Sequence, residues 1–251
     1  MGFFQLGDHP VAESRAEGPQ DRATGRKLLL QILSERGWDL AVFNLIYFLF
    51  CVPMLWALWS FLTEVPLLIS AGMLILSGLL AGPASVAMAK LVVSLLRGTA
   101  YDPYRIFFSA FRENWHRGAL AGVAAHAVAA VLLVSAVFYL FNPGAVSAVL
   151  LTFCGLLTLA LVLVMFYVYM MLANIQLPTS ATLRNAVLLL LLTPARTGCM
   201  VLLLLGATIA CLIAMPYTLF LVPIVYFSFL WLFCGYLCWQ TILGHVAKPE
   251  E

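Results

Sequence analysis

An all-α, polytopic transmembrane bundle of six spans is the fold this sequence predicts, and three observations predict it. Of its 251 residues 64% are hydrophobic and 10% charged, against roughly 45–50% apolar and about 25% charged in an ordinary soluble domain. The mean hydropathy of +1.03 is more apolar surface than a water-soluble core of this length can hide, so lipid must be the solvent for most of the chain. The apolar residues gather into six runs, at about 40–61, 66–92, 118–141, 145–173, 198–218 and 220–243, each close to the ~20 residues that cross a bilayer. Finally, the basic residues all lie outside those runs or, for Lys90, near the inner end of one, and on one side of them. This excludes a soluble cytosolic enzyme, a secreted disulfide scaffold and a nucleic-acid-binding domain.

The chain begins with a polar tail over residues 1–25, mixed in charge and without an apolar core, which reads as cytoplasmic and not as a signal peptide. Leu6 stands where a myristoylation signal at Gly2 needs Ser or Thr. The remainder, 26–251, is expected to be a single membrane domain. Its outer turns are short, at Thr63-Glu64-Val65-Pro66, at Asn142-Pro143-Gly144 and near Tyr217-Thr218. With the N-terminus inside, all 13 Lys and Arg face the cytoplasm, and the positive-inside rule places both termini there.

Between the spans lie three amphipathic stretches on the cytoplasmic side. Arg26, Arg105 and Arg184 open them at a spacing of 79 residues, and each stretch precedes a hairpin of two spans. The unit of cytoplasmic helix plus transmembrane hairpin repeats three times, over 26–96, 105–175 and 184–251. In the first, Leu29, Ile32 and Leu33 should turn inward. The second is the clearest. Asp102 suits an N-cap and Pro103 the first helical position. Tyr104, Phe107, Phe108, Phe111 and Trp115 then form one aromatic stripe, with Arg105, Ser109, Arg112 and Glu113 on the other face. A structural lid under the bundle is the preferred reading of this helix; docking of a cytoplasmic partner is the functional one. The third, leucine-rich from Leu188 to Leu192 and closed by Thr193-Pro194, should sink deeper.

Chemistry is sparse. No phosphate loop, HExxH, GxSxG or paired intramembrane carboxylate occurs, so neither catalytic residues nor a metal or other cofactor is expected. The cysteines, Cys234 and Cys238 at i,i+4 included, read as packing residues without disulfides. His126, about 12 Å along its helix from Gly118 at 1.5 Å per residue, is the one intramembrane histidine and a candidate functional group. It shares a small-residue stripe with Gly118, Gly122 and Ala130, where a neutral histidine bonded across a helix contact is the simpler reading. Gly78 and Gly82 form a second close-packing pair, followed by Pro83, which marks a kink or, alternatively, a broken-helix site. Lys90 should snorkel to the inner interface.

Several stretches together carry a resemblance. The opening MGFF, WDLAVFNLIYFLFCVPM (Trp38 to Met54, with Asn44 and Pro53), GPASVAMAKLVVSLLRG (Gly82 to Gly98) and RIFFSAFRENWHRG (Arg105 to Gly118) resemble the YesL-like bacterial integral membrane proteins, most strongly over residues 38–118. Phe107-Phe108 stands where relatives tend to have Asp-Phe. The resemblance implies a multi-pass protein of the bacterial cell membrane, of a family without known function but often linked with carbohydrate uptake of the ABC type. It supplies no catalytic or ligand residues. The expected role is therefore a non-enzymatic accessory component of solute uptake. A transporter or channel in its own right, and a scaffold or assembly factor, are the alternatives. The lipid bilayer is one partner; an ABC-type transporter subunit or a second copy of the chain is the other.

Overall fold

The apolar run from Leu40 to Phe61 crosses the bilayer as part of one long helix, α1 (Arg26–Ser60). The computed structural model describes residues 25–215, 217 and 221–245, the side chain of Arg26 excepted; the expected tail lies outside them save for Gly25. At 1.5 Å per residue α1 reaches about 52 Å, well beyond the ~30 Å of hydrocarbon. A separate amphipathic stretch ending near Gly37 is the expectation, and the helix is kinked one residue before it. Arg36 leaves helical geometry (φ −122°, ψ 17°) and pairs with Asp39 at 3.2 Å. Gly37 does not take the left-handed conformation that would end a helix; among the described residues only Gly25 and Gly98 have positive φ. Leu29 and Ile32 are buried as expected, and Leu33 packs against the same core.

Helix α2 (Leu67–Arg97) follows Pro66 and is closed by Gly98 in the left-handed conformation (φ 67°). Helix α3 (Pro103–Glu113) starts as its sequence demands: Pro103 opens it and Asp102 Oδ1 accepts the Arg105 N–H at 3.1 Å. It is shorter than the aromatic stripe. Asn114 breaks it (φ −103°, ψ 15°), so Trp115 belongs to α4 (Trp115–Phe141). After Asn142-Pro143-Gly144 comes α5 (Ala145–Asn174). Helices α6 (Thr179–Leu192) and α7 (Pro194–Ile213) are separated by Thr193 alone, because Pro194 cannot continue the first and suits the start of the second. Span five thus begins at 194 and not at 198. A π-helical turn at Val222–Tyr226 leads into α8 (Phe227–His245). Six helices are long and apolar enough to cross a membrane.

Helix α2 is the pillar. It packs against α1, α3, α4, α5 and α8, and α2, α5 and α8 also touch one another. Burial concentrates at the end of the bundle that carries Arg97, Arg117 and Arg196, called here the basic end. From Ala81 to Leu95 every α2 residue but Lys90 is buried on all sides. Tyr167–Ala173 of α5 is continuously buried, and α8 buries Leu230, Trp231, Leu232, Cys234, Cys238, Trp239 and Ile242. Small residues let α2 offer mostly Ala, Gly, Ser and Val to five neighbours, while α5 and α8 fill the same interior with large side chains such as Tyr167, Met170 and Trp231. The guanidinium of Arg97 lies 4.6 Å over the Trp239 ring, which ties α2 to α8 at that end.

Candidate functional site

The crossing of α2 and α4 is made by the glycines named from sequence. A Cβ on Gly78 would stand 2.6 Å from the Gly122 carbonyl carbon, and one on Gly118 would stand 2.8 Å from Pro83 Cα. A Cβ on Gly82 would overlap the Gly118 carbonyl oxygen, and one on Gly122 the Gly78 oxygen. Backbone meets backbone here, so nothing flexible can give way. Pro83 sits inside a continuous helix; packing at this crossing accounts for Gly82 and Pro83, and α2 is not broken. A similar approach was not foreseen at Gly235 of α8, whose Cβ would come 2.9 Å from Val92 Cγ1.

His126 faces α2. Its Nδ1 lies 3.1 Å from the Leu74 carbonyl oxygen and 3.0 Å from Ser77 Oγ, while Ser77 Oγ itself donates to Leu74 O at 2.6 Å. A carbonyl only accepts, so Nδ1 must carry the proton in the neutral ring, and the serine hydroxyl has spent its own hydrogen on Leu74. Nε2 is left as a lone-pair acceptor. It has no hydrogen bond among the described residues, where Ser70 Oγ is the one sealed-off side-chain polar atom without a partner, so Nε2 keeps accessible surface.

His126 is among the residues that line a cavity of about 590 Å³ bounded by all six spans. Its wall is mostly apolar and aromatic. The polar groups in it are few: Tyr47, Ser85, His126, Thr158, Tyr169, Thr208 and Tyr226. Tyr47 Oη and Ser85 Oγ bond each other at 2.9 Å. Thr158 donates to Cys154 O at 2.8 Å, and Thr208 donates to Leu204 O and meets Tyr226 Oη at 2.8 Å. Most of the polarity is therefore already used within the protein. Phe166, Tyr169 and Trp231 cluster at one wall, with Phe166 and Trp231 ring centroids 4.8 Å apart.

Beside this cavity α8 is entered through the π-helical turn of Val222–Tyr226. The turn contains Pro223, and Asn44 of α1 bonds backbone groups at both ends of it. Asn44 Nδ2 donates to Val222 O at 2.9 Å, and Ser228 N–H donates to Asn44 Oδ1 at 2.6 Å. Asn44 is completely buried and lies 16 residues before the end of α1, so the π-helical turn sits well below the end of that helix. At Pro83 the sequence marks a kink, with a broken-helix site as the alternative, and the irregular helical turn of the structure lies at Pro223. The usable signal was Pro223 in the sixth run, paired with the buried amide across from it.

The aromatic helix divides. Phe107 is fully buried, with its ring centroid 5.5 Å from Phe43; Phe111 is half-buried, 4.9 Å from Phe50, and Tyr104 lies 5.0 Å from Phe43. Yet Tyr104 and Phe108 remain 45% and 49% exposed, so the stripe does not turn inward as a whole. Phe108 stands about 100° round the helix from Phe107, and an 11-residue helix set against α1 and α2 cannot cover both. Arg105 and Arg112 are exposed, as expected; Trp115 is half-buried with its ring 5.3 Å from Phe111.

Lys90 does not simply reach for an interface. It lines a second, polar recess of about 580 Å³ at the basic end, with Glu113, Asn114, Arg117 and the Asn174–Pro178 connection; Arg117 donates to Leu177 O there. Of the cysteines, Cys51, Cys154, Cys234 and Cys238 are buried free thiols, and Cys238 Sγ packs 3.7 Å from Met200 Sδ.

Residues 40–136 match the model of a family described as a protein of unknown function, DUF624. The match takes in the span of α1, all of α2 and α3 and most of α4, and so includes the glycine crossing, Asn44 and His126. The description names neither a substrate nor an uptake system. No curated protein and no solved structure matches the chain.

Proposed function

We propose that this chain is a non-enzymatic protein of the bacterial cell membrane, with both termini in the cytoplasm, that serves as an accessory component of solute uptake and not as the path the solute takes. The observation that carries this reading is the cavity lining. A sugar brings many hydroxyls, and each one buried without a partner costs about 1–3 kcal/mol. The hydroxyls of Tyr47, Ser85, Thr158 and Thr208 are already bonded within the protein, which leaves little to replace a sugar's water. The enclosed core of α2, α5 and α8 closes the basic end against a polar route.

The orientation rests on the placement of all 13 basic residues on one side of the spans. Reporter fusions after Glu64 and Asn142 should read as external, and those after Gly98 and Thr179 as cytoplasmic; an external signal at Gly98 overturns the topology. The repeat of 26–96, 105–175 and 184–251 finds support in the packing order: α3 packs on α2, α6 on α5 and α1 on α8, while α2, α5 and α8 meet at the centre. Each unit then leans on the second span of the one before it.

On this reading the partner is an ABC-type transporter subunit that meets the exposed face of α3, where Arg105, Arg112 and Phe108 are available to an acidic, partly apolar surface. Purification in mild detergent should enrich that subunit, and Arg105→Gln with Arg112→Gln should lose it at normal protein level. Recovery of the chain with no transporter subunit counts against the proposal. A transporter in its own right is favoured by one observation, the π-helical turn at Val222–Tyr226 beside the cavity. Sugar flux in proteoliposomes of the protein alone would establish it.

A further inference from the structure

We infer that the intramembrane cavity is a binding site for a lipid-soluble alcohol, a single acyl or isoprenyl chain that carries a hydroxyl, with His126 Nε2 as the acceptor of that hydroxyl. The inference goes beyond the role in uptake and does not depend on it. Size, lining and hydrogen-bond inventory each narrow the ligand. About 590 Å³ falls within the ~300–1,000 Å³ of small-molecule sites. The wall supplied by Met54, Leu133, Leu159, Met165 and Phe166 suits hydrocarbon, and among the described residues no Asp, Glu, Lys or Arg lines it, so an ion or a charged headgroup finds no counter-charge there. A polyol is disfavoured for the reason already given.

The cavity is nonetheless not a plain apolar void. Its imidazole is held by Leu74 O and Ser77 Oγ on the Nδ1 side, and this fixes the tautomer with Nε2 unprotonated. An acceptor that faces hydrocarbon is under-satisfied, and a ligand that brings one O–H donor relieves it. A hydrocarbon or an ether fills the same space without doing so. Recognition therefore reads one donor on a long apolar body. The π-helical turn stands at the same cavity, which Tyr226 lines, and so places the least regular backbone of the span against the ligand.

The test uses the purified full-length protein in phosphatidylcholine nanodiscs and a 16-carbon alcohol that carries a mid-chain diazirine. Irradiation followed by peptide mapping should place the label on cavity-wall residues of α4 and α5. Unlabelled 1-hexadecanol should compete about tenfold better than its methyl ether, the worth of roughly one hydrogen bond. Farnesol in place of hexadecanol separates an isoprenoid from a straight chain, and preference for either alcohol over its ether supports the inference. His126→Asn keeps a donor for Leu74 O but loses the Nε2 acceptor, and should bring alcohol and ether to parity. Gly155→Phe adds a ring from a wall position where a Cβ meets nothing within 4 Å, and should suppress labelling. Equal competition by alcohol and ether in the wild-type protein overturns the inference whatever the variants do, and leaves only annular lipid in the cavity. Failure to co-purify a transporter subunit leaves it untouched.

Discussion

The two ends of the bundle are made from the same apolar alphabet and behave differently. At the basic end, Ala81–Leu95 of α2 is enclosed by five other helices and α5 and α8 press against it. Towards the other end the same helices line a cavity of about 590 Å³. In lipid there is no hydrophobic drive to bring helices together, so closeness must come from shape. Where Gly and Ala alternate, backbones touch and the interior closes. Small residues explain the closest backbone approach, at the α2–α4 crossing, but the enclosed end is also filled by Tyr167, Met170, Met171, Trp231 and Trp239. The lesson is that glycine sets where two backbones touch, while large side chains either fill the interior or leave a cavity according to how they interlock.

The sharpest way to break this contrast is to put one bulky side chain at each end. Gly82→Leu should all but abolish accumulation in the membrane, since the new atoms meet Gly118 backbone and the cost exceeds the roughly 1–3 kcal/mol of ordinary overpacking. Gly155→Leu, in open space beside the cavity, should leave accumulation near wild type. Equal loss from both, measured by quantitative blot of membranes, would mean that the cavity end is as tightly packed as the crossing.

A smaller contrast runs within α3. Phe107→Asp buries a carboxylate beside the Phe43 ring and should lower accumulation about tenfold, as expected for a loss of at least ~1.4 kcal/mol from a marginally stable protein. Phe108→Asp, at a half-exposed site, should cost at most about twofold. Below these comes Asn44→Val. It removes both bonds that the amide makes to the π-helical turn and the start of α8, at about 1–3 kcal/mol for orphaned buried backbone groups, and should lower the Tm of detergent-purified protein while the chain still reaches the membrane.

How much of this was legible in the sequence varies with the kind of interaction. Local rules carried well: Asp102 and Pro103 start α3 where they should, Thr193-Pro194 closes α6, and the six spans follow from length and apolarity. The glycine crossing was legible too, because close packing needs the same few residue types at fixed spacing. Bends were legible only in part. The interruption expected near Gly37 falls one residue earlier, at Arg36 (φ −122°, ψ 17°), and the size of the bend there had no signal in the periodicity. The clamp of Asn44 on α8 joins residues 178 and 184 positions apart, and periodicity carries no information on such pairs. His126 was visible as a residue; its tautomer and its open nitrogen depend on Leu74 and Ser77 of another span. The cavity had no local signature, because it is the space left between side chains that are individually ordinary.

The smallest expected effect lies on the outer face of α3, and it decides whether the basic end is complete as it stands. Arg105 and Arg112 are exposed and point away from the Phe43 and Phe50 contacts. Replacing both with Gln should change stability by no more than about 0.5 kcal/mol, apart from a loss of attraction to anionic lipid of about 1 kcal/mol per residue. Accumulation and Tm should stay near wild type. A marked fall in both would mean that this face is buried in the cell, against a partner or a second copy, and that the chain relies on that contact to fold. The exposed Phe108 sharpens the outcome. If Phe108→Asp and the double arginine change are each silent in accumulation, the helix is held by Phe107 and Phe111 alone, and its outer face is free for a partner that is not needed for folding.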